Sequence, residues 1–419
     1  MSSSFSRSSH DFRLKNSGPV LLMKMESELR YVLIVEKPFS QRDADRFGVT
    51  TISDSGFAVE VWDVGMLYAR NYPRSNSVFN LHGAKILQLE SFSHLESLSA
   101  NLLDKDVIMG MAGLSIEQAW PYRRLRKIIF KTHARIATIT NGHGPFDRWE
   151  GFWKKLARIL VAPPGIYRQV RSLMSFLLYE AKMVVGNLLT AIYRHKLSYV
   201  FAGASYYGVD ANLIGSDTKA FQIHGLDVDN FLRVEDEGEQ QKNIVYLDSM
   251  GPLHPELVAY NLPFRMDTSD FYSLNLKCLK ELQVRLGGSC VIAAHPKAQT
   301  GQLENFYDPY PVMYRSTAKL VAHSICVIGE PSLSLGMAAW FNKPAIMLWS
   351  KDLPDWMKQL IKDYQDALDC AVWNVDDKST WQMPVVNLER YKTYRETYLK
   401  KPGTPNRLFW EFAAEKLQA

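Results

Sequence analysis

The chain is poor in residues that cross-link a fold or span a membrane. Only four cysteines, Cys278, Cys290, Cys326 and Cys370, occur in 419 residues, and none has Cys-x-x-Cys spacing. A zinc ribbon and a disulfide-stapled secreted scaffold are thereby excluded, and a reducing cytosol is the expected home. No stretch reaches the roughly 18 consecutive apolar residues of a spanning helix. The apolar patch Pro19–Met23 is too short for a signal-peptide core, so the polar, Ser-rich residues 1–30 read as a flexible leader. Charge of one sign is scarcely in excess: 49 Lys plus Arg stand against 44 Asp plus Glu, a net +5. That balance does not announce nucleic acid. Also missing are G-x-x-x-x-G-K-[ST], a G-x-G-x-x-G after the first strand, H-E-x-x-H and G-x-S-x-G, which removes the P-loop, dinucleotide, zincin and hydrolase-elbow readings. Asp227-Val228-Asp229 is a superficial match to a metal-holding triplet and reads as loop or acceptor-side. No cofactor or metal is expected.

What is present describes two α/β domains. The chain is 47% hydrophobic and 22% charged, enough for two cores. Short β-branched runs recur at helix-sized intervals: Tyr31–Pro38, Phe57–Val64, ILQLESF near Ile86, Asp106–Met111, Arg135–Gly142 and Leu197–Gly203. A second series follows at Asn243–Asp248, Ser289–Pro296, Ile325–Gly329 and Pro344–Ser350. Apolar strands alternating with helices predict parallel sheets built from βαβ units. The expected division is a first Rossmann-like domain over residues 31–235, a second over 236–350, and closing helices over 351–419, one of them returning to the first domain. The acidic, Gln-rich stretch Glu235–Asn243 reads as the interdomain loop.

Residues 151–196 break the rhythm. They carry Lys154, Lys155, Arg158, Arg168, Arg171, Lys182, Arg194 and Lys196 against Glu180 alone, interleaved with helix-forming apolar residues. Two amphipathic helices are expected, broken at Pro163–Pro164. Such an insert either docks on an anionic membrane surface or forms a helical layer on the sheet with a solvated basic rim.

In open α/β sheets ligands bind outside the carboxyl ends of the strands, so polar residues that end strands are the candidates. Asp248 ends one strand, where a carboxylate can attack, accept a proton or neutralise developing charge, or else merely cap a turn. His295-Pro296-Lys297 ends another, where the ring could donate to a phosphate or protonate a leaving oxygen. Another strand runs into Glu330, and Arg135–Gly142 runs towards His143. Ser316, Thr317, Ser332 and Ser334 stand at strand-to-helix junctions, whose unpaired N–H groups and hydroxyls suit a phosphate, although ordinary capping needs no ligand. Asp63, at the end of the second strand, could hold a ribose but lacks the glycine fingerprint and reads as structural or acceptor-side.

The order of KPFSQRDADRFGV, GFAVEVWDV, GSDTKAFQIHGLDVDNFL, IVYLDSMGPLHPEL, VIAAHPKA, STAKLVAHS and EPSLSLGMAAWFNKPAIMLWS resembles two-domain GT-B glycosyltransferases of bacterial surface-polysaccharide biosynthesis (lipopolysaccharide, O-antigen, capsule). Among these it looks most like the β-Kdo transferase domains that use CMP-activated ulosonic acids. The resemblance implies a GT-B fold, a CMP-sugar donor, a glycan or lipid-linked acceptor and no obligatory metal. The residues themselves lead to the expectation of cytoplasmic residence, with peripheral contact at the inner membrane through the basic insert as a further expectation, and of no nucleic-acid partner. It also implies donor-phosphate binding by His295, Ser332 and Ser334 and a place for Asp248 beside the anomeric carbon, as nucleophile of a retaining enzyme or base of an inverting one. Other readings are a nucleotide-sugar epimerase of the same architecture and a non-catalytic protein binding membrane or nucleic acid through the basic insert.

Overall fold

Apolar runs buried on both faces build the frame of the molecule, as parallel sheets require. A computed structural model describes residues 29–37, 39–68, 84–114, 119–140, 144–145, 166–193, 196–204, 209–234, 243–255, 257, 264, 266–353 and 355–419. The leader before residue 29, Pro38, Asn141–His143, residues 151–165 of the basic insert, Arg194 and residues 235–242 of the interdomain stretch lie outside the described residues.

The first sheet contains β1 (Leu29–Val35), β2 (Phe57–Asp63), β3 (Ala84–Gln88), β4 (Val107–Gly110), β5 (Arg135–Thr140), β6 (Tyr199–Ala202) and β7 (Lys219–Gln222), in the order β3-β2-β1-β4-β5-β6-β7. The second contains β8 (Asn243–Leu247), β9 (Ser289–Ala293), β10 (Val312–Met313), β11 (Ser324–Gly329), β12 (Ala345–Trp349) and β13 (Ala371–Asn374), in the order β10-β9-β8-β11-β12-β13. Every pairing is parallel. Two Rossmann-like sheets in series make the GT-B-like architecture expected from the sequence. Each sheet starts in its middle and reverses direction once, between β1 and β4 and between β8 and β11. Such topological switch points are where open α/β sheets hold ligands.

Three strands were not foreseen. β7 is an edge strand with Lys219 and Ala220 exposed; β10 has two residues; β13 lies beyond residue 350, in the stretch expected to supply helices. The helix-sized interval between β1 and β2, QRDADRFGVTTISDSG, holds two short helices, Gln41–Arg46 and Val49–Asp54. The first is closed by a capping box between Ser40 and Asp43.

The last helix packs against the first sheet. Phe409, Trp410, Phe412 and Leu417 of the helix Phe409–Gln418 enter the same core as Tyr31, Val61 and Phe201. Polar groups fasten that packing. Gly225 N–H donates to the Leu399 carbonyl at 3.0 Å, and the Phe409 N–H donates to Asp229 Oδ1 at 2.9 Å. His224 Nε2 lies 2.8 Å from the Arg407 carbonyl. Burial raises the pKa of Asp229, against the lowering effect of the Phe409 N–H. Asp229 is therefore a structural anchor within the helix Val228–Leu232 rather than part of a loop, and Asp227, just before that helix, pairs with Arg46 at 3.3 Å. Asp63 is likewise structural: buried, it accepts from the Gly65 N–H at 2.9 Å and closes the turn after β2.

Candidate functional site

The second switch point gathers most of the polar strand-end residues singled out in the sequence. β8 and β11 remain in register up to Leu247 and Gly329, so the next residues, Asp248 and Glu330, stand side by side. They can do so because position 329 is glycine: a Cβ there would lie 2.9 Å from the Leu247 carbonyl oxygen. Asp248 is 5% exposed and Glu330 4%. Two buried carboxyl groups at one sheet edge are costly unless neutralised or hydrogen-bonded. Each holds a buried tyrosine: the Tyr307 hydroxyl donates to Asp248 Oδ1 and the Tyr246 hydroxyl to Glu330 Oε1, both at 2.7 Å. Among the described residues, Glu330 Oε2 is buried with no partner in hydrogen-bonding geometry.

Burial pushes the Asp248 pKa up to about 6, opposed by the Tyr307 hydroxyl and by the His295 and Met250 N–H groups. It pushes Glu330 to about 7; there the Tyr246 hydroxyl opposes the rise, the Asp248 carboxylate adds to it, and Ser249 lowers it. Burial thus moves the titration of both groups up towards neutral pH.

The backbone after β8 is sharply turned. Met250, buried, has φ 62°, and Gly251 has φ 41°. A non-glycine residue in the left-handed region is sparsely populated and persists where its surroundings enforce it. Here Tyr272, stacked on Phe306, donates to the Met250 carbonyl at 3.4 Å.

His295 follows β9 by one residue, Ala294, and its N–H points at Asp248 Oδ2 from 3.5 Å. The Lys297 N–H donates to His295 Nδ1 at 3.2 Å. A neutral ring that accepts at Nδ1 carries its proton on Nε2, so the tight turn over exposed Pro296 sets the tautomer. The His254 ring meets the His295 ring edge-on, with centroids 5.0 Å apart. The structure thus brings Asp248, Glu330, His295 and His254 to one sheet edge.

The hydroxyl residues occupy the following junctions. Ser316 and Thr317 open the helix Thr317–Ala322, and Ser316 Oγ makes no cap bond and is buried without a partner among the described residues. Ser332 precedes the 3-10 turn Leu333–Leu335, which contains Ser334; Ser332 makes no side-chain cap bond either, and both serines are half-buried. Ordinary N-capping therefore does not account for Ser316 or Ser332.

Sequence reasoning placed Glu330 at a strand end without giving it a role and overlooked His254, Tyr246 and Tyr307. The available signals were a second His-Pro pair, His254-Pro255, just after β8, and a tyrosine inside an otherwise aliphatic strand.

No protein-family model matches the sequence, and no curated protein does. Among solved structures the chain is similar to the UDP-GlcNAc 2-epimerase of Methanocaldococcus jannaschii in complex with UDP-GlcNAc and UDP (11% identity, covering 93% of this chain and 99% of that one, TM-score 0.44). It is also similar to the wall teichoic acid polymerase TagF soaked with CDPG (11% identity, 93% and 88% covered, TM-score 0.48) and to MurG of Acinetobacter baumannii (10% identity, 93% and 99% covered, TM-score 0.44).

Proposed function

We propose that the protein is a glycosyltransferase of bacterial surface-polysaccharide or lipopolysaccharide assembly, moving a Kdo-like ulosonic acid from a CMP-activated donor to an oligosaccharide or lipid-linked glycan. The observation that carries this reading is the carboxyl pair at the switch point of the second sheet, with a histidine of set tautomer beside it. The sequence resemblance supplies the donor class.

In this reading Asp248, ionised above about pH 6, attacks the anomeric carbon as the bond from that carbon to the CMP phosphate oxygen breaks. The departing phosphate takes hydrogen bonds from His295 Nε2–H and from the Ser316, Thr317, Ser332 and Ser334 hydroxyls, with Pro296 and Lys297 completing the same loop. Fixed donors of this kind stabilise the charge that develops on a leaving group. An acceptor hydroxyl then attacks the glycosyl ester on Asp248 and gives up its proton to a neighbouring base. The carboxylate is restored, and two inversions give net retention. Acceptor recognition belongs to the first domain in this scheme.

A thermal-shift series with CMP, UDP, GDP and ADP tests the donor class, because a ligand that binds the native state raises its melting temperature. A shift selective for CMP supports the reading, and no nucleotide response removes it. Interconversion of a free nucleotide sugar without acceptor would replace it with an epimerase, and salt-sensitive RNA binding without a CMP response with a nucleic-acid-binding protein.

A further inference from the structure

Where its side chains are described, Met174 and Leu177 onward, the helix Ile166–Ala191 carries its apolar side outward. Its seat on the protein is made of small residues. Gly186 and Thr190 are buried one turn apart, and a Cβ at Gly186 would lie 3.0 Å from both the Ala119 Cβ and the Trp120 N. Thr190 Oγ1 accepts from Arg126 Nη1 at 2.7 Å and donates to the Gly186 carbonyl at 2.8 Å. At about 100° per residue, the opposite side carries Met174, Leu178, Val185, Leu188 and, just past the helix end, Ile192. All are exposed, Leu188 to 65% and Ile192 to 74%. The stripe runs for about 27 Å, and among the described residues nothing packs it into a core. Ordinary surface helices turn such a stripe inward.

We propose that this stripe is a membrane-docking face, lying in the interface plane of an anionic bilayer. Its charge fits that partner. Residues 151–196 hold eight Lys or Arg and one Glu, and Lys182 is exposed beside the stripe. Apolar contact with acyl chains and attraction to anionic headgroups act together on such a helix. A second copy of the chain suits the face less well. The positions flanking the Met174, Leu178, Val185, Leu188, Ile192 seam include exposed Leu177 and Val184, where a two-stranded coiled coil commonly carries charge. No described helix is long and apolar enough to span, so the contact is peripheral. The inference is independent of the proposed sugar chemistry.

The test is co-sedimentation of the full chain with vesicles of phosphatidylcholine alone and of phosphatidylcholine with phosphatidylglycerol, at low and high salt. Light scattering without lipid accompanies it. The wild type is expected to pellet with the anionic vesicles, less so in high salt, and to stay in solution with neutral ones. Val185→Glu and Leu188→Glu are expected to weaken binding about tenfold or more each, with unchanged melting temperature because both side chains are already in water. Failure to bind anionic vesicles, binding indifferent to both substitutions, or a dimer that Leu188→Glu dissociates would each overturn the proposal.

Discussion

Asp248 and Glu330 end two adjacent parallel strands in consecutive register, each carboxyl group buried and each holding a buried tyrosine hydroxyl at 2.7 Å. Neither position adds to the core by being acidic. Burial raises both pKa values, so the folded state is less stable than it would be with neutral side chains there. Buried, pKa-shifted carboxyl groups at a switch point are candidates for a functional site.

The first prediction concerns stability against pH. Both carboxyl groups bind a proton more tightly folded than unfolded, where carboxylates titrate near pH 4. Their stabilising effect is therefore complete below about pH 4 and is lost as pH rises through about 6 for Asp248 and about 7 for Glu330. Glu330→Gln should remove the upper part of that slope and raise stability at pH 8 by on the order of 2–3 kcal/mol. Thermal melts of the two proteins from pH 4 to pH 8 check it; parallel curves would contradict it.

Tyr307→Phe should move the acid limb of activity. The hydroxyl lowers the Asp248 pKa by donating to the carboxylate, so its loss raises that pKa. If transfer needs ionised Asp248, the limb near pH 6 shifts towards higher pH while the plateau stays close to wild type. A pH–rate profile of the variant reads this directly.

His295→Ala should weaken CMP binding by about 10–100-fold, the range for a lost hydrogen bond to a charged group. Ser332→Ala and Ser334→Ala should each cost less. Calorimetric titration with CMP ranks the three, and equal affinities throughout would remove these residues from the phosphate site.

A structural prediction lies in the first domain. Arg126, from the helix Arg123–Ile129, is fully buried and pairs with Asp210 at 2.7 Å while also holding Thr190. Burial lowers the Arg126 pKa, and Asp210 opposes that effect. Arg126→Met alone leaves a buried carboxylate without its cation and should cost about 3–5 kcal/mol. Adding Asp210→Leu should recover much of the loss. Denaturant melts of the single and double variants decide between recovery and simple additivity.

Much of the frame was legible because parallel strands announce themselves: Tyr31–Val35, Val107–Met109 and Ile244–Leu247 are unbroken apolar runs buried throughout. β7 and β13 escaped because edge strands need only half-apolar sequences, and KAFQ and AVWN have no distinctive period. Asp248 and His295 could be named from their places at strand ends, but their proximity depends on register and sheet order, which no local pattern encodes. The neighbour of Asp248 across the switch point is 82 residues away in sequence, at Glu330. The tyrosine partners were hidden for a similar reason: Tyr307 reaches Asp248 from a short helix, Glu304–Tyr307, 59 positions on. The basic insert was recognised by charge; that the described apolar side chains of its helix, Met174 and Leu177 onward, face outward required the buried pair Gly186 and Thr190 to be seen.

The most direct test of the central claim is acceptor-dependent release of CMP from CMP-Kdo, measured for the wild type and for Asp248→Asn at pH 7.5. The account predicts release and glycan extension by the wild type, and a loss on the order of 10³-fold or more in the variant with its melting temperature maintained or raised. No acceptor-dependent release by the wild type, or comparable turnover in the two proteins, would contradict it.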